Sequence, residues 1–240
     1  QSTDLGKRIV LDSIQLISEI GFEAFTFKKL STRIESTEAS IYRYFGNKHK
    51  LLVYLIAWYW AWMEYKIEYE THHLQDSREK LDKIIHLITE RKVPDETFPD
   101  IDEEALNKIV IAESDKTYLT KQVDKDNEKG LFKGYKTLCH RIALLIETIN
   151  PNFTFSHALA STALEASNQQ VFFAEHLRSL TELSQLEDPY SANYHFIKNM
   201  IFKTNFPLFK KKNLSNVFDT YVKRTTGRRS LECQQAWKKL

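Results

Sequence analysis

Apolar residues recur at helical spacing along most of this 240-residue chain, and strand-like alternation is weak throughout. The first apolar stripe lies between Ser2 and Gly21 and consists of Leu5, Ile9, Ile14, Leu16, Ile17 and Ile20. Gly21 follows it, and glycine is a common helix C-cap because it tolerates positive φ. The pattern therefore predicts a first helix that ends at Gly21.

Two shorter helical patterns follow, and each begins after a threonine that can act as its N-cap. Thr26 precedes an apolar pattern over residues 27–34, and Thr37 precedes another over residues 38–45. Only Glu35-Ser36 separates the two, which leaves room for a tight turn. This arrangement predicts a helix-turn-helix, in which the second helix can enter the major groove of DNA.

A long apolar and aromatic run lies in the next helix, which Asn47 can cap. Residues 51–63 read LLVYLIAWYWAWM, which is shorter than the about 18 residues that a membrane span needs. We expect a helix buried at its start and half-exposed later. Its two stripes are Leu51, Leu55, Trp58, Trp62, Tyr65 and Tyr69, and Leu52, Ile56, Met63 and Ile67. Trp58, Trp62 and Tyr65 are expected in the core, with pocket lining as the alternative.

Polar breaks divide the rest of the chain into further helices, so the predicted fold class is all-α. We expect helices over residues 80–92, 100–116, 131–149, 155–180 and 189–206, with a capping box at residues 76–79, a loop at 93–99 and a polar segment at 121–130.

Charge is unevenly distributed, although the net charge is only +2. Residues 1–50 hold eight basic and six acidic residues, whereas the stretch from Lys210 to the end holds nine basic and two acidic ones, a balance of +7. The middle therefore carries −7. A mildly basic head on an acidic body suits a protein that binds DNA at one end.

The cysteine content and the N-terminus favour a cytoplasmic protein. Cys139 and Cys233 are the two cysteines of the chain, and they form no metal or redox spacing. The first residues show no signal-peptide pattern.

The helix-turn-helix region also contains an ordered set of residues that is typical of one family. The set is a glycine, a capping threonine, a leucine, a second capping threonine, a small residue, an aliphatic–tyrosine pair, an aromatic–phenylalanine pair and a lysine, namely Gly21, Thr26, Leu30, Thr37, Ala39, Ile41-Tyr42, Tyr44-Phe45 and Lys48. It resembles the N-terminal domain of the TetR family of bacterial transcriptional regulators over about residues 7–52. The turn departs from the family pattern, because Ile34-Glu35-Ser36 replaces the usual Ala-Gly-Val.

The resemblance implies a DNA-binding regulator, a ligand-responsive repressor that binds a palindromic operator as a homodimer. Together with the basic composition of the C-terminal stretch, it divides the chain into three expected parts. We expect a helix-turn-helix domain at residues 1–50, a helical ligand-binding and dimerisation domain at residues 51–206, and a basic C-terminal extension of uncertain structure at residues 207–240.

Side chains around the second short helix are candidates for DNA contact. They are Thr26, Lys28, Thr37, Glu38, Ala39, Ser40, Tyr42, Arg43, Tyr44 and Lys48. Residues at the start and outer face of that helix can reach base edges, where arginine pairs with guanine and glutamate accepts from cytosine. Tyr42, Lys28 and Lys48 suit phosphates, which position a protein without reading sequence. Core packing explains Tyr44 equally well, and a favourable charge at the helix N-terminus explains Glu38.

The last two long helices resemble in position the pair through which TetR-family proteins dimerise. Their candidate interface residues are Ala158, Ala163, Ala166, Phe172, His176, Tyr194, Ile197 and Ile201. Small residues permit close helix approach and aromatic residues anchor interfaces, although an intramolecular core explains each residue as well. A dimer is also needed physically, because one recognition helix reads few bases, whereas two on a dyad read half-sites about 34–36 Å apart.

A set of mainly aromatic residues in the middle of the chain is a candidate lining for an effector pocket. The set is Trp62, Tyr65, Tyr118, Phe132, Tyr135, Cys139, His140 and Phe173. Such a lining suits a hydrophobic small molecule, with packing in the core as the alternative. The histidines show no dense metal spacing, so we expect no metal and no cofactor.

Two rival functions differ from that of a regulator. An all-α enzyme would need a catalytic constellation, and the sequence has no Glu-x-x-His pair of the di-iron type, no HExxH and no glycine-rich phosphate loop. We therefore predict no enzymatic activity. The alternative is a dimeric helical interaction or scaffold protein that retains the helix-turn-helix fold without specific operator binding, which Glu35 and Glu38 would favour. The expected partners are double-stranded operator DNA, a second copy of the chain and a hydrophobic small molecule, with no membrane.

Overall fold

The computed structural model describes residues 3–93 and 102–204, and its regular elements within those ranges are all helical. The α-helices are α1 Asp4–Ala24, α2 Phe27–Arg33, α3 Glu38–Tyr44, α4 Lys48–Thr71, α5 Ser77–Thr89, α6 Glu103–Glu113, α7 Asp115–Tyr118, α8 Val123–Glu128, α9 Lys133–Ile149, α10 Ser156–His176 and α11 Pro189–Thr204. Two 3₁₀ turns, Arg178–Leu180 and Glu182–Gln185, join α10 to α11. The predicted all-α class is confirmed.

Short-range signals explain the boundaries of the first helices. Thr26, Thr37 and Asn47 each accept the backbone N–H three residues ahead, at 3.2, 3.2 and 2.8 Å, so the predicted caps are confirmed. Gly21 has a φ of 77° and bends the chain inside α1, which then continues to Ala24. Glycine fits this position because the left-handed region costs it no steric strain.

The helices share one hydrophobic core. The buried residues of α1, α2 and α3 belong to the same cluster as those of α4, α5, α6, α9, α10 and α11. Helix α4 passes from the N-terminal helices to the later ones and packs along α9. Gly134 on α9 permits this approach, because a Cβ there would lie 2.7 Å from the backbone nitrogen of Ala61 on α4. Helix α4 therefore connects the N-terminal helices α1–α3 to the later helices within one core.

One of the two stripes predicted on α4 is confirmed, and the other is wrong at its distal end. Leu52, Ile56, Met63 and Ile67 are at most 1% exposed, whereas Tyr65 is 60% exposed. Tyr69 is also exposed, and the neighbouring Tyr59 and Trp60 are buried instead. The pattern was ambiguous because aromatic residues occupy both faces of α4, and the position of α9 selects which face is covered. Within residues 3–93 and 102–204, no helix combines the length and apolarity that crossing a bilayer requires.

Three segments predicted further along the chain differ in the structure. The helix expected over residues 100–116 is divided at Ser114, whose hydroxyl donates to the Val110 carbonyl at 2.5 Å. The polar segment at residues 121–130 contains α8, of which only Asp126 is buried, so its apolar periodicity is too weak to be seen. The helix expected over residues 155–180 ends at His176. Residues 94–99 of the predicted loop and residues 207–240 lie outside the described residues.

Candidate DNA-binding interface and effector site

Helix α3 is anchored by one face and presents the other to solvent. Ile41 is fully buried, and the ring of Tyr42 meets the buried ring of Phe27 edge-on at 4.9 Å. The hydroxyl of Tyr44 lies 2.5 Å from the hydroxyl of Thr3, the N-cap of α1. These contacts hold α3 against α1 and α2, so its outer face has a defined orientation.

The outer face of α3 carries hydroxyl, small and cationic side chains. Thr37, Ala39, Tyr42 and Arg43 are exposed, while Ser40 is half-buried. The Arg43 guanidinium donates to the Ser40 hydroxyl at 3.2 Å, which in turn lies 2.9 Å from the Thr37 hydroxyl. These side chains can reach base edges if the helix enters a major groove.

The other predicted DNA-contacting residues lie around this face. Lys28 and Thr26 are exposed at the start of α2, and Glu38 is half-buried in the first turn of α3. Tyr44 is 42% exposed and has the hydroxyl contact to α1 already described.

Lys48 is placed differently from the sequence-based expectation. Its ammonium donates to the carbonyls of Phe22, Glu23 and Phe25 at 3.1, 3.2 and 3.5 Å, and it lies 4.8 Å from the centre of the Phe22 ring. An ammonium has three protons, and these carbonyls take them at the end of α1. Lys48 thus stabilises the α1 C-terminus from the start of α4, a role that sequence spacing did not indicate.

The turn between α2 and α3 has a Schellman geometry with a glutamate at the position that glycine usually occupies. The Ser36 N–H donates to the Ser31 carbonyl at 2.9 Å, and the Glu35 N–H donates to the Thr32 carbonyl at 3.4 Å. Glu35 has a φ of 49°, in the left-handed region. The turn that departs from the family pattern therefore retains a tight geometry, with backbone strain at Glu35.

A junction of charges joins the N-terminal helices to α7. Lys116 on α7 forms an ion pair with Glu23 near the end of α1, and another with Glu113 at 2.8 Å. The Lys116 bond lowers the pKa of Glu23. The Lys116 ammonium also lies 5.7 Å from the centre of the Phe22 ring, the ring that Lys48 contacts.

Part of the predicted effector set is brought together around a carboxylate that sequence reasoning had treated as isolated. Tyr118 on α7 and Tyr135 on α9 both donate to one oxygen of Glu165 on α10, at 3.3 and 2.7 Å. Phe132 lies 6.1 Å from Tyr118, and Trp60 on α4 lies 4.9 Å from Tyr135, between ring centres. We call these five residues the tyrosine–carboxylate cluster. Their spacing in sequence gives no signal that they converge.

Burial is the main influence on the pKa values of Glu165, Tyr118 and Tyr135. Desolvation raises the pKa of Glu165, although the bonds from Tyr135 and Tyr118 act in the opposite direction. Desolvation and the Glu165 charge raise the pKa of both tyrosines, so they remain neutral donors. The indole N–H of Trp60 is buried without a hydrogen-bond partner among the described residues.

The remaining residues of the predicted effector set make other contacts. Trp62 lies under the Lys66 ammonium, and Phe173 packs against Phe172. His140 Nδ1 lies 3.0 Å from His157 Nε2 at the surface. Cys139 is half-buried beside the cluster, with its thiol directed to the His157 carbonyl at 3.6 Å and its pKa raised by burial. Tyr65 is exposed, as noted above.

A surface cavity of about 570 Å³ lies between α4 and the start of α9, and no residue of the predicted effector set lines it. Its walls include Tyr54, Trp58, Leu131 and Thr137. The Tyr54 ring meets Phe45, the C-cap of α3, edge-on at 5.3 Å. Sequence reasoning missed this cavity because its walls come from two helices whose pairing only the fold defines.

The predicted dimer residues divide between the core and the surface. Ala163, Ile197 and Ile201 are 0% exposed and pack inside the chain, because α10 and α11 pack on each other and α11 also packs on α5. In this structure they are not available to a second copy. Ala166 is half-buried against the core, and the Tyr194 hydroxyl donates to Asp82 on α5 at 2.8 Å.

The surface members of that set are accompanied by exposed residues that were not predicted. Ala158 and His176 are exposed on α10, and the half-buried Phe172 lies 4.6 Å from His176. Phe196 on α11 is 42% exposed. Across the described ranges, no group of three or more His, Cys, Asp or Glu residues is arranged to hold a metal ion.

Comparison with known proteins agrees with this architecture. Residues 9–55 match the model of a family described as bacterial regulatory proteins, tetR family. A comparison with curated proteins gives no significant match.

Solved structures match most of the chain at low sequence identity. A TetR transcriptional regulator from Legionella pneumophila is 20% identical with a TM-score of 0.54, over 82% of this chain and 97% of that chain. FadR from Bacillus subtilis, in complex with stearoyl-CoA, is 14% identical with a TM-score of 0.58, over 81% and 97%. AibR, in complex with isovaleryl coenzyme A and operator DNA, is 12% identical with a TM-score of 0.54, over 81% and 96%. Residues 9–55 therefore carry a tetR-type N-terminal domain, and the chain as a whole shares the fold of these regulators.

Proposed function

We propose that the protein is a ligand-responsive repressor that binds a palindromic operator as a homodimer. The observation that carries this proposal is the exposed outer face of α3, with Thr37, Ala39, Tyr42 and Arg43 displayed on a helix whose inner face is locked by Ile41. The AibR structure, which contains operator DNA, supports a DNA-binding role for this fold.

The DNA-contacting residues have different proposed roles. Thr37, Ala39 and Arg43 face the bases, and Arg43 is the one suited to a guanine. Tyr42 and Lys28 contact phosphates on either side of the helix. Lys48 has no spare proton in this structure, so we assign it a positioning role at the end of α1 in place of a phosphate contact.

Dimerisation is proposed through the exposed faces of α10 and α11. Ala158, Phe172 and His176 follow helical spacing on α10, and Phe196 lies on the exposed side of α11. An exposed phenylalanine with neighbouring aromatic and small residues is typical of an interface centre. Phe196→Asp is expected to yield monomers by light scattering at micromolar concentration, whereas Lys125→Asp, at an exposed position of α8, should leave the oligomeric state unchanged.

We also retain the division of the chain into residues 1–50 for DNA binding and residues 51–206 for ligand binding and dimerisation. The stearoyl-CoA and isovaleryl coenzyme A complexes of FadR and AibR support a small-molecule effector for the second part.

Selection of bound sequences from random double-stranded DNA tests the proposed operator binding. Enrichment of a two-fold symmetric sequence is expected, and a folded dimer that enriches none would favour a helical scaffold. Arg43→Ala should relax the preference at one base pair of each half-site and weaken binding by about 1–3 kcal/mol. Lys28→Ala should weaken binding to all sequences and reduce the salt dependence by about one phosphate contact per half-site. The control Lys125→Ala should change neither quantity.

A further inference from the structure

The tyrosine–carboxylate cluster contains a half-buried acid with only neutral donors. Glu165 is bonded by the hydroxyls of Tyr118 and Tyr135, and no ion pair to it occurs among the described residues. The other titratable groups that face the cluster are Asp115 on α7 and Cys139 on α9, neither of them a cation. A carboxylate removed from water without a cationic partner is costly. A positively charged group placed beside Glu165 would therefore stabilise its carboxylate.

Aromatic rings pack against the two tyrosines that hold this carboxylate. The rings of Tyr118 and Tyr135 are inclined by 16° with centres 6.0 Å apart, and Phe132 and Trp60 meet them edge-on. Aromatic faces attract cations through the ring quadrupole, and desolvation strengthens this attraction. Glu165, Tyr118 and Tyr135 are each partly exposed, so a ligand can reach the cluster from solvent.

We propose that the tyrosine–carboxylate cluster is the recognition point for an organic ammonium effector, which places its charge at Glu165 and its alkyl groups against the aromatic rings. The regulatory consequence of binding rests on the proposed repressor function, whereas the binding itself does not. A polyanionic ligand such as an acyl-coenzyme A would gain nothing from Glu165.

The position of α7 suggests how occupancy reaches the DNA-binding helices. This single turn carries Tyr118, which bonds Glu165, and Lys116, which pairs with Glu23 near the end of α1. A cation that draws Glu165 away from Tyr118 therefore acts on α7, the four-residue helix that also carries the Lys116 ion pairs to Glu23 and Glu113. Through Phe22, the junction also contacts Lys48 at the start of α4.

Binding of matched probes to the full-length protein tests this proposal. The probes are tetramethylammonium, tetraethylammonium and phenyltrimethylammonium, with tert-butylbenzene as the neutral counterpart of the last. Calorimetry and the shift in melting temperature are measured for wild type, Glu165→Gln, Glu175→Gln and Trp58→Ala. Glu165→Gln keeps an acceptor for the tyrosines and removes the charge. Glu175→Gln is the control on an exposed position of α10, and Trp58→Ala alters the separate surface cavity.

At least one cation should bind wild type about tenfold more tightly than the neutral probe, and Glu165→Gln should abolish that difference. The Glu175→Gln and Trp58→Ala variants should bind as wild type does. Without ligand, Glu165→Gln should melt at a higher temperature, because it removes a desolvated charge. Failure of all three cations to bind, equal binding of the neutral probe, or unchanged cation binding by Glu165→Gln would overturn the proposal.

A separate measurement distinguishes failure of the repressor proposal. If cations bind and random-sequence selection recovers no operator, the site stands and the repressor function fails. If an operator is recovered and no cation binds, the reverse holds. Where both occur, the bound cation should weaken operator affinity in wild type and leave that of Glu165→Gln unchanged.

Discussion

Replacing Glu35 by glycine should stabilise the protein, which is the opposite of the usual effect of adding a glycine. Glu35 occupies the C′ position of the Schellman turn that ends α2, with a φ of 49°. An L-residue in the left-handed region suffers a close approach of its Cβ to the backbone. Glycine has no Cβ, so Glu35→Gly removes the clash while both hydrogen bonds of the turn remain.

Two opposing terms set the size of the effect. The left-handed conformation costs a non-glycine residue about 1–2 kcal/mol. Glycine avoids that strain, but it loses more backbone entropy on folding, which lowers the free energy of unfolding by about 0.5–1 kcal/mol. The net expectation is a gain of about 0.5–1 kcal/mol in the free energy of unfolding, which corresponds to a rise of about 1–4 °C in melting temperature.

Equilibrium unfolding in urea and thermal melting, both at one fixed protein concentration, measure this gain. Glu35→Ala is the matched control, because it removes the carboxylate near the α2 C-terminus and keeps the Cβ. The difference between the glycine and alanine variants therefore isolates the backbone contribution. If Glu35→Gly is no more stable than Glu35→Ala, strain at this position is refuted. Operator affinity should stay within twofold of wild type, because the turn geometry is preserved.

Three further changes have expected outcomes that differ in sign. Gly134→Ala should destabilise by about 1–3 kcal/mol because its Cβ meets the α4 backbone; a stability gain in urea unfolding, as at an open helical glycine, would contradict this packing. Lys48→Gln should lower the free energy of unfolding by about 1–3 kcal/mol through its lost carbonyl bonds; a reduced salt dependence of DNA binding would instead restore it as a phosphate contact. Burial lowers the pKa of Lys92 to about 8 from an unfolded value of 10.5. The unfolded chain therefore binds more protons between these values, so wild type should gain stability relative to Lys92→Met as pH rises from 8 to 10. Parallel pH profiles for the two proteins would show that Lys92 does not titrate in this window.

Much of the N-terminal region could be predicted because its signals are local. Caps act over three residues, as the bonds accepted by Thr26, Thr37 and Asn47 show. The turn at Glu35 follows from the distance between two short apolar patterns. The second α4 stripe, from Leu52 to Ile67, followed from periodicity because an apolar face must be covered by some neighbour.

Contacts between distant residues were beyond such reasoning. The convergence of Tyr118, Tyr135 and Glu165 joins three helices, and no spacing in sequence encodes it. The role of Lys48 depends on where α1 ends in space. Ile197 and Ile201 had the composition of an interface, and only the packing of α11 on α10 and α5 showed that the chain itself buries them.

The difference between what the sequence predicted and what only the structure showed follows from the range over which each interaction acts. Backbone caps, turn conformations and the hydrophobic periodicity of each helix are set by residues within one or two turns, so the order of residues determined the all-α class and the helix-turn-helix. Which apolar face meets which neighbour is set by the packing of the whole core, where several pairings bury similar areas. The tertiary structure alone therefore decided the convergence of the tyrosine–carboxylate cluster, the ion pairs of Lys116 and which faces of α10 and α11 remain exposed.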